Sequence, residues 1–107
     1  MRVYELRTYT LASREDLDFY KDVIYPRHLD SFPKHGIRPH GFWTSPGDDE
    51  PRLFVLASMD EGADPAEVAQ RYMASAEFKE DLEGFDASKI SRVDSVILDP
   101  STGSPLQ

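Results

Sequence analysis

Two runs in the second half of the chain, RLFVLASMD (52–60) and SRVDSVILD (91–99), alternate like strands yet carry apolar residues on both faces. In the first, Phe54 and Leu56 point one way while Leu53, Val55, Ala57 and Met59 point the other. In the second, Val93 and Ile97 oppose Val96 and Leu98. A strand of this kind expects cover on both sides. Any fold for this chain must therefore supply two layers over one sheet.

The remaining segments supply one of them. RVYELRTYTL (2–11) mixes β-branched and aromatic residues with charged ones and reads as a first strand. Ser13 and the acidic turn after it open a helix whose stripe is Leu17, Tyr20, Ile24 and His28, running to about Lys34. Pro26 lacks a backbone donor and clashes with the preceding turn, which predicts a kink or restart near Tyr25. Gly36 supplies the stop, IRPHGFWTS (37–45) a second strand, and PGDDEP (46–51) the hairpin loop before the strand that begins at Arg52. Asp64-Pro65-Ala66-Glu67 marks a second helix start with an N-cap, an N1 proline and an acidic N3 residue. Its stripe is Val68, Tyr72, Phe78 and Leu82, with a break expected at Ser75 and an end at Gly84. Residues 100–107 read as an extended C-terminal arm.

The order is β-α-β-β-α-β. Right-handed crossovers then place both helices on one face of a four-stranded antiparallel sheet, the ferredoxin-like arrangement of the α+β class. The other face would expose an apolar patch on the order of several hundred Å², more than monomers usually carry. A two-fold homodimer that packs the open faces together, a dimeric α+β barrel, is the expected answer. The chain's 107 residues fit one domain.

Composition narrows the function classes. A net charge of −8 with scattered Arg and Lys lacks the basic footprint that nucleic acid requires. No apolar run is long enough to span a bilayer. The absence of cysteine, together with strand-like alternation that starts at Arg2 and leaves no room for a leader, points to the cytoplasm. The three histidines, His28, His35 and His40, have no metal-site spacing, and no phosphate loop, nucleophile elbow or nucleotide fingerprint occurs, so neither a metal nor a cofactor is expected.

Tyr4-Glu5-Leu6-Arg7-Thr8-Tyr9 at the start, Gly41-Phe42-Trp43 in the second strand, and Ser95, Pro100 and Ser104-Pro105-Leu106 at the end together resemble the NIPSNAP family over nearly the whole chain. The resemblance implies a ferredoxin-like dimeric α+β barrel and small bacterial proteins whose biochemical roles are mostly unassigned. Related sequences tend to place a histidine and an aromatic residue along the third strand, where this chain has Val55, Ala57 and Met59. A site shared with the family is therefore reshaped here toward hydrocarbon.

The candidate chemistry starts on the first strand. Glu5, Arg7 and Tyr9 share one face, opposite Tyr4 and Leu6. If Tyr4 and Leu6 lie under the helices, that polar set faces the barrel interior, where Arg7 would clamp an anion, Tyr9 donate and Glu5 act as base. His28, next to Arg27 near the proline kink, is a further candidate base. Trp43, Arg27 and Met59 are candidate ligand contacts; Trp43 can equally be a core residue, and it shares a face with His40 only if Gly41 introduces a bulge. The expected role is to bind a small aromatic or acidic metabolite in a barrel cavity, between each sheet and its helix-side rim. The alternatives are a cofactor-independent isomerase, cyclase or monooxygenase of specialised metabolism, and a protein-interaction scaffold with no ligand.

Overall fold

A computed structural model describes residues 2–107. The strands are β1 (Val3–Leu11), β2 (Arg38–Trp43), β3 (Arg52–Met59) and β4 (Ile90–Leu98), all antiparallel, in the order β2-β3-β1-β4. This is the ferredoxin-like α+β arrangement expected from the element order. Two helical segments follow β1: α1 (Arg14–Phe19) and α2 (Tyr25–Ser31). Two more, α3 (Pro65–Met73) and α4 (Ala76–Asp81), separate β3 from β4.

The capping residues act where the sequence places them. Ser13 accepts from Asp16 N at 3.1 Å, Asp64 from Ala66 N at 3.0 Å, and Ser75 from Phe78 N at 3.2 Å, so the second helical region does break at Ser75. Pro26 is handled by a π turn over Tyr20–Ile24 in which Tyr25 N–H reaches back to the Tyr20 carbonyl. The wider turn makes room for a ring that would collide with an ordinary helical carbonyl, and α2 continues with Pro26 in its first turn. No helix among the described residues is long and apolar enough to cross a membrane.

β1 and β3 pair in register from Val3 opposite Met59 to Thr10 opposite Arg52, so Glu5, Arg7 and Tyr9 stand beside Ala57, Val55 and Leu53. That face lies under the helices: Tyr9, Leu11, Leu53, Val55 and Met59 join Leu17, Tyr20, Ile24, Tyr25, Val68 and Tyr72 in one core. The condition that would turn the Glu-Arg-Tyr set toward the barrel interior, Tyr4 and Leu6 under the helices, is thus not met. Those two residues occupy the open face, and the Glu-Arg-Tyr set lies between sheet and helices. Leu11 and Tyr9 explain the choice, since the odd-numbered side of β1 ends in two large residues that complete the core beside Leu53, which is fully buried.

The open face carries Trp43, Val96 and Leu98, 54%, 52% and 41% exposed. A core placement of Trp43 does not occur within this chain. The β2–β3 register slips between Pro39 and Gly41, so His40 is a bulge, and both His40 and Trp43 come to the open face. The Trp43 ring lies over Gly41 so closely that a Cβ there would stand 2.6 Å from the indole. Residues 99–107 turn back instead of extending away: Ser104 N bonds Ser101 O, and the Tyr4 hydroxyl donates to the Gln107 carbonyl at 2.5 Å. The arm thereby covers Tyr4 at one end of the open face.

Candidate functional site

Between sheet and helices a cavity of about 330 Å³ remains. Its floor is made by Glu5, Arg7 and Tyr9 of β1 with Val55, Ala57 and Met59 of β3, and its roof is largely aromatic, with Tyr20, Tyr25, His28, Phe32, Tyr72 and Phe78. Val93 and Ile90 of β4 form the side wall that the helices leave open. Five of the residues singled out in the sequence, Glu5, Arg7, Tyr9, His28 and Met59, therefore meet in one space.

Trp43 and Arg27 lie elsewhere. Trp43 stands on the opposite face of the sheet. Arg27 donates from Nη1 to the backbone carbonyls of Asp81 (3.1 Å) and Glu83 (2.7 Å), tying α2 to the end of α4. Its effect on the cavity is to hold the backbone of Asp81 in place.

The floor holds one charged group of each sign. Glu5 Oε2 accepts from Ser95 Oγ at 2.6 Å and from Arg7 Nη2 at 3.2 Å, while Arg7 Nη1 lies 3.4 Å from the Tyr9 hydroxyl. Burial works against the Arg7 charge, but Tyr9 and Glu5 outweigh it and leave the guanidinium even harder to deprotonate than usual. Burial, reinforced by neighbouring tyrosines, also raises the Tyr20 and Tyr25 phenols far from ionisation.

The roof holds a network that sequence reasoning missed in part. Tyr72 donates to Asp81 Oδ2 at 2.7 Å; His28 Nδ1 lies 3.2 Å from the same oxygen and is also bonded to the Tyr72 hydroxyl. The imidazole stacks near-parallel with Phe32 and Phe78, at 5.3 and 6.1 Å between centroids, and meets Tyr25 edge-on at 4.9 Å. Burial lowers the His28 pKa below the ordinary histidine value despite the opposing pull of Asp81. Burial alone would raise the Asp81 carboxyl, yet hydrogen bonds from Tyr72, Ser31 and His28 outweigh it and hold the group below the usual carboxylate range.

These states fix the tautomer. An ionised Asp81 only accepts, and Tyr72 spends its proton on it, so Nδ1 must carry the hydrogen that it shares with both. The neutral ring then keeps its lone pair on Nε2, which no hydrogen bond engages among the described residues, and the ring borders the cavity. Asp81 was hidden in the sequence because it sits in an acidic run, EDLEGFD, whose other carboxylates look like solvated surface. Its one local signal is the i,i+3 spacing from Phe78, which puts it on the inward side of a helix restarted at Ser75.

His35 and His40 take no part in the cavity wall. His35 Nε2 is 3.5 Å from Glu77, and His40 Nε2 is 2.7 Å from Ser58 Oγ on the open face. Among the described residues no three His, Cys, Asp or Glu side chains converge into a group that can hold a metal.

Comparison with known proteins follows the same outline. The family model described as NIPSNAP matches residues 4–105. A NIPSNAP family protein of unknown function from Agrobacterium tumefaciens superposes with a TM-score of 0.79 at 23% identity, covering 99% of this chain and 94% of its own. A NIPSNAP domain protein from Burkholderia xenovorans gives 0.69 at 20% identity, with 96% and 98% covered. A provisionally assigned antibiotic biosynthesis monooxygenase from Nitrosomonas europaea gives 0.60 at 14% identity, with 95% and 93% covered. At these identities the likeness is one of fold. No curated protein matches the chain.

Proposed function

The chain belongs to the NIPSNAP family, and on that premise we propose that it is a cytoplasmic homodimer that binds a small aromatic metabolite, neutral or only weakly acidic. The observation that carries this reading is the cavity of about 330 Å³ walled by aromatic rings and floored by the Glu5–Arg7 pair. Cavities of this size with few, convergent polar groups are the usual form of small-molecule sites. Tyr9, Tyr20, Tyr25 and Phe32 offer flat apolar contact, and Arg7 offers a fixed cation to an oxygen of the ligand.

The dimer rests on the open face. Trp43, Val96 and Leu98 form an exposed apolar surface that the C-terminal arm covers only near Tyr4. Packing two such faces together buries them without using the cavity, which lies on the other side of each sheet.

A second reading, a cofactor-independent isomerase, cyclase or monooxygenase, is favoured by one observation: His28, which lines the cavity, has one ring nitrogen held by Asp81 and Tyr72 while no hydrogen bond among the described residues engages the other.

Native mass spectrometry of freshly purified protein tests the main reading. It should give a dimer mass and, on gentle desolvation, a retained small molecule that is lost when Val55 is replaced by Trp to fill the cavity. A monomer across micromolar concentrations, or an adduct that survives Val55→Trp, overturns it.

A further inference from the structure

Resting on the reading of the cavity as a ligand site, we infer that His28 Nε2 is a general base that removes a proton next to the carbonyl of a neutral, enolisable benzylic ketone, with Arg7 receiving the oxyanion. Glu5 pairs with Arg7, and Asp81 is the remaining carboxylate, beside a His28 that is neutral. The four groups thus sum to one negative charge. Such a site repels a ligand that arrives as an anion and accepts one that arrives neutral and becomes anionic only as its proton moves to His28.

The geometry of the base supports this. A histidine used only for packing needs no fixed tautomer, yet here two acceptors converge on Nδ1, Nε2 is left without a hydrogen bond among the described residues, and the residue lines a largely apolar cavity. Stacking on Phe32 and Phe78 fixes the ring plane. When Nε2 takes a proton, the imidazolium lies against the Asp81 carboxylate, which is then a positioning residue and a counter-charge.

The step balances without a co-reactant. The C–H bond α to the carbonyl breaks, its proton passes to Nε2, and its electron pair moves through the carbon framework to the carbonyl oxygen. The enolate oxygen faces the Arg7 guanidinium. His28 then returns the proton to carbon or to oxygen, so the net result is tautomerisation with no change in oxidation state.

The test uses the intact protein and 2-tetralone in deuterated water, with two readouts by proton NMR. Saturation transfer reports binding, and loss of the C1 protons relative to protein-free buffer reports proton abstraction. Wild type should bind and accelerate exchange. His28→Gln should lose about a hundredfold or more of that acceleration while binding persists. The wild-type rate should also fall on acidification through a pKa below that of ordinary histidine, a limb that His28→Gln lacks. Asp81→Asn, which keeps the side-chain volume but disturbs the tautomer, should slow exchange and leave binding, and it serves if His28→Gln does not fold. No binding of 2-tetralone by wild type overturns the cavity reading together with this proposal. Binding with exchange at the buffer rate, or exchange unchanged in His28→Gln and Asp81→Asn, overturns the base alone. Tighter binding of phenylpyruvate, an anion with the same ring, overturns the preference for a neutral ligand.

Discussion

Replacing Tyr72 by phenylalanine removes one oxygen and isolates the worth of the roof network. The hydroxyl donates to Asp81 Oδ2 at 2.7 Å and meets His28 Nδ1; Tyr72 is 5% exposed and Asp81 8%. Without it a buried carboxylate loses a donor that water cannot readily replace, a loss of about 2 kcal/mol for a hydrogen bond to a charged group. With 107 residues and about 2.1 cal/mol/K of unfolding entropy per residue, each kcal/mol shifts Tm by roughly 4–5 °C. Tyr72→Phe should therefore melt about 9 °C below wild type in a calorimetric scan at neutral pH and fixed protein concentration. The difference should also shrink in acid. Asp81 has a folded pKa below its ordinary 3.8, so the stability it brings is present above that value and lost as pH falls through the folded pKa. A Tm within about 2 °C of wild type at neutral pH, below half a kcal/mol on the same scale, would refute the claim that this network is an organised, energetically coupled unit.

Three further outcomes follow from particular contacts. His28 has a folded pKa below its ordinary 6.5, so its contribution is intact above that pH and declines on acidification, with a slope approaching about 1.4 kcal/mol per pH unit where only the unfolded chain is protonated. Denaturant titrations between pH 7.5 and 5 should show this slope in wild type and a shallower one in His28→Gln; equal slopes would remove His28 as the source. Gly41→Ala places a Cβ 2.6 Å from the ring of the chain's one tryptophan, so Trp43 must move and its fluorescence maximum should shift, whereas an unchanged spectrum would mean the ring does not lie over Gly41. Deleting residues 100–107 uncovers Tyr4 and removes the Gln107 acceptor; it should lower Tm by a few degrees, about 1 kcal/mol for the lost hydrogen bond and contact, and a Tm equal to wild type would mean the arm is not docked.

The parts of the fold legible in the sequence are those written locally. Ser13, Asp64 and Ser75 cap helices because a short side-chain acceptor at those positions meets a free N–H one turn on. Pro26 announced a disturbance near Tyr25, though not that a π turn would absorb it. Alternation separated the two faces of β1, β3 and β4 and failed on β2 at the His40 bulge, and even where it holds, parity says which residues share a face and not which face meets the helices. With β3 and β4 apolar on both sides, only the three-dimensional fit of Tyr9 and Leu11 beside Leu53 breaks that tie, and so Glu5 and Arg7 came to lie under the helices instead of on the open face.

The site shows the same division. His28 was legible as a histidine on an apolar stripe beside a proline, but its partner Asp81 is 53 residues away and looks like any surface carboxylate in its own segment. Arg27 was chosen for its charge and its place near the kink; its bonds to the Asp81 and Glu83 carbonyls make it a brace between helices. Trp43 was chosen for its ring, and the bulge at His40 carries it to the open face. Long-range partners and strand slips arise from assembly, which no local pattern records.

The most direct test of the account is amide and side-chain NMR mapping of 2-tetralone on the intact, isotope-labelled protein. Binding in the cavity predicts shifts concentrated at Ala57, Met59, Tyr72 and Phe78, with the Trp43 indole N–H unmoved. Shifts confined to Trp43, Val96 and Leu98 would place the ligand on the open face and contradict the account.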